Sequence, residues 1–154
     1  MRRWVIRTGF VATVVLTGAV LVGCGSGDDS SQSGKSTVVG LKEFTVTPDP
    51  IELQSGTVEV KGENGGSEEH ELVIVRADSA DALPTDADGA VVEEEIPKGD
   101  VIGEIEKIAK GKSKSASFKL TPGTYVFFCN IGEKENGKIL SHFKQGMHEV
   151  VTVS

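Results

Sequence analysis

The chain has 154 residues, 25% of them charged, with a formal net charge of −7 at pH 7. That length holds one domain, and the acidic balance makes nucleic acid a poor partner and a basic protein surface a better one. With three His, two Cys and two Met in the whole chain, any clustering of those residue types asks for a chemical reason.

At the N-terminus, Arg2, Arg3 and Arg7 precede FVATVVLTGAVLV, an uncharged run at 10–22. Its length suits the apolar region of a signal peptide and falls short of the roughly 20 residues a spanning helix needs. The run ends in Leu-Val-Gly-Cys, which resembles the lipobox of bacterial lipoproteins. That resemblance implies cleavage after Gly23 and a lipid on the sulfur of Cys24, anchoring the protein to the outer face of the cytoplasmic membrane or on its periplasmic side. Each buried methylene contributes about 0.8 kcal/mol, so two or more acyl chains hold firmly. The opening Arg-Arg-Trp-Val-Ile-Arg loosely resembles a twin-arginine export signal, and the general secretory route is equally open. Residues 25–36, GSGDDSSQSGKS, offer no apolar side chain to bury and read as a tether.

The expected division is therefore a signal peptide at 1–23, a lipidated Cys24 and tether at 24–36, and one folded domain at 37–154. Removing residues 1–23 leaves 13 basic against 23 acidic side chains, a formal charge of −10.

The domain reads as short strands. VVGLKEFTV (38–46) leads into Pro48 and Pro50. TVEVKGEN (57–64) alternates, with Val58 and Val60 on one side. Asn64-Gly65-Gly66 is a turn, and HELVIVRA (70–77) is continuously apolar, as a strand covered on both faces would be. Residues 78–99, acidic and rich in Asp, Ala and Pro, read as a long surface excursion. A strand is expected near 101–106. Ala116, Phe118 and Leu120 then alternate with Ser115, Ser117 and Lys119, and Thr121-Pro122-Gly123 turns into YVFFC. HEVVTV (148–153) is the last strand. Seven or eight short strands with little helix predict an all-β Greek-key sandwich or small barrel.

The chemistry concentrates near the C-terminus. If Cys24 carries lipid, Cys129 has no disulfide partner in an oxidising compartment. It is then either an inert buried thiol or a metal ligand. Cys129, His142, Met147 and His148 fall within twenty residues. Electron-transfer copper takes a thiolate and two imidazoles in a near-trigonal plane with a weak axial thioether; zinc would use Cys and His but has little use for Met. On residue type alone, His142 and His148 compete for one imidazole position, and His70 could complete the set.

These residues carry a resemblance. Asn64-Gly65-Gly66 ahead of His70-Glu71-Leu72-Val73, then Tyr125-Val126-Phe127-Phe128-Cys129-Asn130, then His142 and Met147 with four residues between them, are similar to the cupredoxins, the blue (type 1) copper fold. The resemblance covers 37–154. It implies His70, Cys129, His142 and Met147 as ligands of one type 1 copper cycling between Cu(I) and Cu(II), with electrons exchanged through an edge exposed near His142. The departure is the Cys129-to-His142 link, where the family commonly has two to four residues and this chain has twelve. A link of that length cannot fix the two ligands by chain geometry, so packing around the site is expected to do so. Closing it adds only about 1 kcal/mol of loop entropy, and Asn136-Gly137 suits the tip of a small hairpin. Glu133, Lys134, Glu135 and Lys138 read as its solvated face, and Tyr125, Phe127, Phe128 and Phe143 as core and site wall.

The leading expectation is a membrane-anchored, monomeric, non-enzymatic carrier of single electrons between transient protein redox partners with basic docking surfaces. The alternatives are a copper-storage or copper-delivery lipoprotein using the same ligands, and a metal-free assembly module of the same fold.

Overall fold

In the computed structural model, residues 35–154 are described. The expected signal segment, Cys24 and the tether up to residue 34 lie outside them. The strands are β1 (Ser36–Lys42), β2 (Thr45–Asp49), β3 (Glu52–Leu53), β4 (Gly56–Asn64), β5 (His70–Arg76), β6 (Val101–Ile108), β7 (Ser113–Leu120), β8 (Gly123–Phe128), β9 (Gly132–Glu135), β10 (Lys138–Ser141) and β11 (His148–Val153).

Two sheets face each other. One runs β2-β1-β4-β7 and the other β3-β11-β8-β5-β6, with β9 and β10 forming a separate hairpin. Alternation decides which side chains turn inward. Val58 and Val60 of β4, Phe118 and Leu120 of β7 and Val39 and Leu41 of β1 meet Leu72, Ile74, Tyr125, Phe127 and Val151 from the facing sheet. The architecture is the expected all-β sandwich.

Eleven strands replace the expected seven or eight. A turn at Glu43 and Phe44 splits the 38–46 run into β1 and β2, which pair antiparallel with Leu41 opposite Val46. Pro48 sits inside β2, and that strand is a sheet edge, where a missing N–H is tolerated. The short β3 and the β9–β10 hairpin make up the rest of the difference.

The 78–99 segment is more than a surface excursion. Ala80, Leu83, Val91 and Ile96 are buried against Val73, Val75, Val126, Phe128 and Phe143, on the outer face of the five-stranded sheet. The continuous apolar run in β5 needs a cover on both sides, and this segment supplies the second, through two 3-10 turns at Ala80–Ala82 and Glu93–Glu95.

Candidate metal centre

Strand register gathers the first three candidate residues. β5 opens on His70, and β8 runs antiparallel to it with Phe128 opposite Val73, so Cys129 emerges beside the start of β5. β11 pairs with β8 with His148 opposite Phe128, which brings Met147 level with Cys129. The Cys129 N–H donates to the Met147 carbonyl at 3.0 Å.

His142 arrives by a different device. β9 and β10 pair from Glu135↔Lys138 down to Gly132↔Ser141, and Asn136 and Gly137 turn the tip with φ of 51° and 79°, as a two-residue turn with both centres at positive φ requires. At the base the His142 N–H donates to the Ile131 carbonyl at 2.9 Å. The long link is thus closed by its own ladder. In space His142 follows almost directly on Asn130 and Ile131, so packing is not the main constraint that sequence reasoning expected.

Donor atoms of His70, Cys129 and His142 come together, and these three residues and Met147 are each 0% exposed. Cys129 Sγ lies 3.8 Å from His70 Nδ1 and 3.5 Å from His142 Nδ1. Metal bonds of about 2.0 Å to nitrogen and 2.3 Å to sulfur at 120° would separate those atoms by about 3.7 Å. Burial holds both imidazoles below the ordinary histidine range, with Glu43 pulling His70 and Glu68 pulling His142 the other way; this favours the neutral ring, the form that offers a lone pair. Burial, partly opposed by hydrogen bonding, pushes the Cys129 thiol up to about 11, so a bound cation must displace its proton. Met147 belongs to the same core cluster as Cys129. This arrangement fits a type 1 copper site.

His148 is placed elsewhere. It is half-buried, with its ring 5.0 Å from that of Phe143, and it joins no metal-spaced group with Cys129 among the described residues. The resemblance also implied an exposed edge at His142. The imidazole is instead covered, with Phe44 edge-on at 5.2 Å and Glu68 Oε2 3.7 Å from Nε2. His70 is likewise no solvated histidine raised by its glutamate neighbours, because burial dominates its surroundings.

Several supporting residues escaped sequence reasoning. Asn64 Nδ2 donates to the carbonyls of Glu68 (2.6 Å) and Ile108 (2.7 Å), and its Oδ1 accepts from the Gly66 N–H (2.9 Å). Glu43 Oε1 accepts the N–H groups of Ser67 and Glu68 at 2.7 and 2.9 Å. A Cβ on Gly66 would lie 2.8 Å from His70 Nε2 and 2.5 Å from Glu43 Oε1, so a larger residue there would have to push the carboxylate or the imidazole aside. Asn130, the residue after the thiol, is held in place: its N–H donates to Glu71 Oε1, its Oδ1 accepts from Val91 N–H, and its Nδ2 donates to Val91 O and Glu93 Oε1. The Asn-Gly-Gly signal marks Asn64 as a turn former, but no local signal ties Glu43 or Val91 to residues so far along the chain. Glu133 is half-buried against the site rather than wholly solvated.

Comparison with known proteins points the same way. The model of the cupredoxin-like domain family matches residues 13–140, ending two residues before His142. No curated protein sequence matches the chain. Among solved structures, a reduced auracyanin from Roseiflexus castenholzii is similar at 23% identity, covering 78% of this chain and 97% of its own, with a TM-score of 0.55. Auracyanin A, a "blue" copper protein from Chloroflexus aurantiacus, has 20% identity, 77% and 98% coverage and a TM-score of 0.50. Rusticyanin from Thiobacillus ferrooxidans has 18% identity, 79% coverage of both chains and a TM-score of 0.50.

Proposed function

Since the chain belongs to the cupredoxin-like domain family, we propose that it carries single electrons through one type 1 copper held by His70, Cys129, His142 and Met147. The observation that carries this reading is the convergence of two imidazole Nδ1 atoms on one buried thiol at 3.5 and 3.8 Å. Copper bound there supplies a one-electron couple between Cu(I) and Cu(II). The protein's part is to hold the donors still. The thiolate and thioether suit the reduced ion and the imidazoles the oxidised one. Their complete burial and the hydrogen bonds at Asn64 and Asn130 keep the donor positions fixed while charge changes. No bond of a substrate is made or broken, and the protein is no enzyme in this reading.

The domain acts outside the cytoplasm, as a monomer, tethered through lipid on Cys24. Its formal charge of −10 after loss of residues 1–23 favours transient redox partners with basic docking faces, whose encounter an opposite field accelerates. Burial of all four donors favours retention of copper over delivery.

The experiment is to add one equivalent of Cu(II) to the metal-free protein and record visible and electron paramagnetic resonance spectra. An intense thiolate-to-copper band with narrow hyperfine splitting is expected, lost in Cys129→Ser and His142→Ala and kept in His148→Ala. A pale complex, or none, sinks the reading. Rapid loss of Cu(I) to a chelator would favour storage or delivery instead.

A further inference from the structure

The four buried donors leave unexplained how a metal reaches them and what the outer nitrogens of the two imidazoles face. Nε2 of His70 and Nε2 of His142 are both buried and without a hydrogen-bond partner. Each points at carboxylates: His70 Nε2 lies 3.2 Å from Glu43 Oε1, and His142 Nε2 lies 3.7 Å from Glu68 Oε2. Glu133 joins the second group from the hairpin. Donor atoms of Glu68, Glu133 and His142 all lie within 4.8 Å of one another. The three glutamates line a solvent-facing cleft together with Phe44, Lys134 and Leu140, and the buried imidazoles lie behind them. Among the described residues, Glu68 and Glu133 have no lysine or arginine within ion-pair distance. Glu43 already accepts two backbone N–H groups, which leaves Glu68 and Glu133 as the carboxylates free to take a cation.

We propose that Glu68, Glu133 and Nε2 of His142 form a loading site that takes Cu(II) from solution and passes it to the buried donors. This rests on the inner site being a copper site. Two carboxylates and an imidazole suit a borderline divalent ion. A neutral imidazole has one lone pair, so His142 serves the outer or the inner position but not both. With Nε2 on the outer ion, Nδ1 carries the proton and faces Cys129. On transfer, the bonds from the ion to Nε2 and the two carboxylates break, and bonds to Nδ1, Sγ and the other inner donors form. Nδ1 gives up its proton, Nε2 takes one and donates it toward Glu68, and the thiol proton leaves to water. One proton is released in total and no electron moves. Filling the inner site thereby removes the outer site's nitrogen and releases its hold.

The test mixes metal-free full-length protein with equimolar Cu(II) and follows freeze-quenched paramagnetic resonance alongside the thiolate band. Expected is an early signal with wide hyperfine splitting, from oxygen and nitrogen ligands, that decays as the thiolate band grows. In Glu68→Gln/Glu133→Gln the early signal disappears and the band grows roughly tenfold more slowly or worse, as loss of an anionic cleft predicts. Glu133→Gln alone, on the hairpin and away from the core, gives the same direction if the double variant does not fold. A thiolate band that appears without a precursor, at wild-type rate in these variants, overturns the loading site. An early signal that depends on Glu68 and Glu133 but never yields a thiolate band leaves the loading site standing and defeats the inner copper reading.

Discussion

Asn64 shows how much one side chain can organise around His70. It is 3% exposed and uses its amide three times, locking the 64–69 turn to itself and to the end of β6. Removing three such bonds, each contributing about 1 kcal/mol and leaving buried partners unpaired, should destabilise Asn64→Ala by roughly 3 kcal/mol. Asn64→Asp keeps the bond from Gly66 but sets a buried carboxylate oxygen against the Glu68 and Ile108 carbonyls, so at neutral pH it should be at least as destabilising. Urea unfolding of the metal-free proteins checks both, and equal stability of wild type and Asn64→Ala would refute the role. The sequence makes the candidate donors visible because Cys, His and Met are rare enough for their spacing to stand out. Glu43, Glu68 and Glu133 are three among 23 acids. Nothing local distinguishes them, because what singles them out is a fold that brings positions 43, 68 and 133 to one cleft.

At the level of elements, the β9–β10 hairpin separates what the chain needs from what it adds. Gly132 and Ser141 are directly paired, and paired Cα atoms in antiparallel strands lie about 4.5–5.5 Å apart, close to the roughly 3.8 Å of bonded neighbours. Residues 133–140 can therefore be excised with little change at the base, leaving four residues between Cys129 and His142. The shortened protein should fold and give the same thiolate band with Cu(II). Phe44 and Glu68 would remain, but loss of Glu133, Lys134 and Leu140 would open the cleft beside His142, so Cu(I) should pass to a chelator faster, by roughly tenfold or more if their effect resembles that of other groups surrounding a metal site. An unchanged release rate would mean that the hairpin does not protect the site. The Asn136-Gly137 signal reveals this hairpin because its turn is local. The role of 78–99 as a cover is illegible for the opposite reason. Ala80, Leu83, Val91 and Ile96 follow neither a period of 2 nor one of 3.6, and only the outer face of β5 and β8 gives them a surface to meet.

For the whole molecule, strand alternation and the two-sided apolar run at 70–77 are enough to specify a sandwich, while the net charge specifies little about where acids crowd. The fold collects Glu71, Glu93, Glu104 and Glu106 on and beside β5 and β6. Burial first, then the neighbouring carboxylates, raise Glu71 and Glu104 above the ordinary carboxylate range. A carboxyl whose pKa rises on folding contributes stability that is complete below its unfolded value and is lost as pH climbs through its folded value. Buried His70 and His142 act in the opposite sense: their folded values are lowered, so their contribution is present above the ordinary histidine range and fades as pH falls. The overall curve mixes the two, but a variant difference isolates the acid crowd. Glu104→Gln removes one repelling charge at an exposed position, so metal-free Glu104→Gln should exceed wild type in stability at pH 7 by less than about 1 kcal/mol. That advantage should shrink as pH falls through the carboxylate range, where Glu104 becomes protonated in the folded and unfolded wild type alike. Paired urea titrations at neutral and acidic pH measure it, and an advantage independent of pH would show that the substitution acts through packing rather than charge.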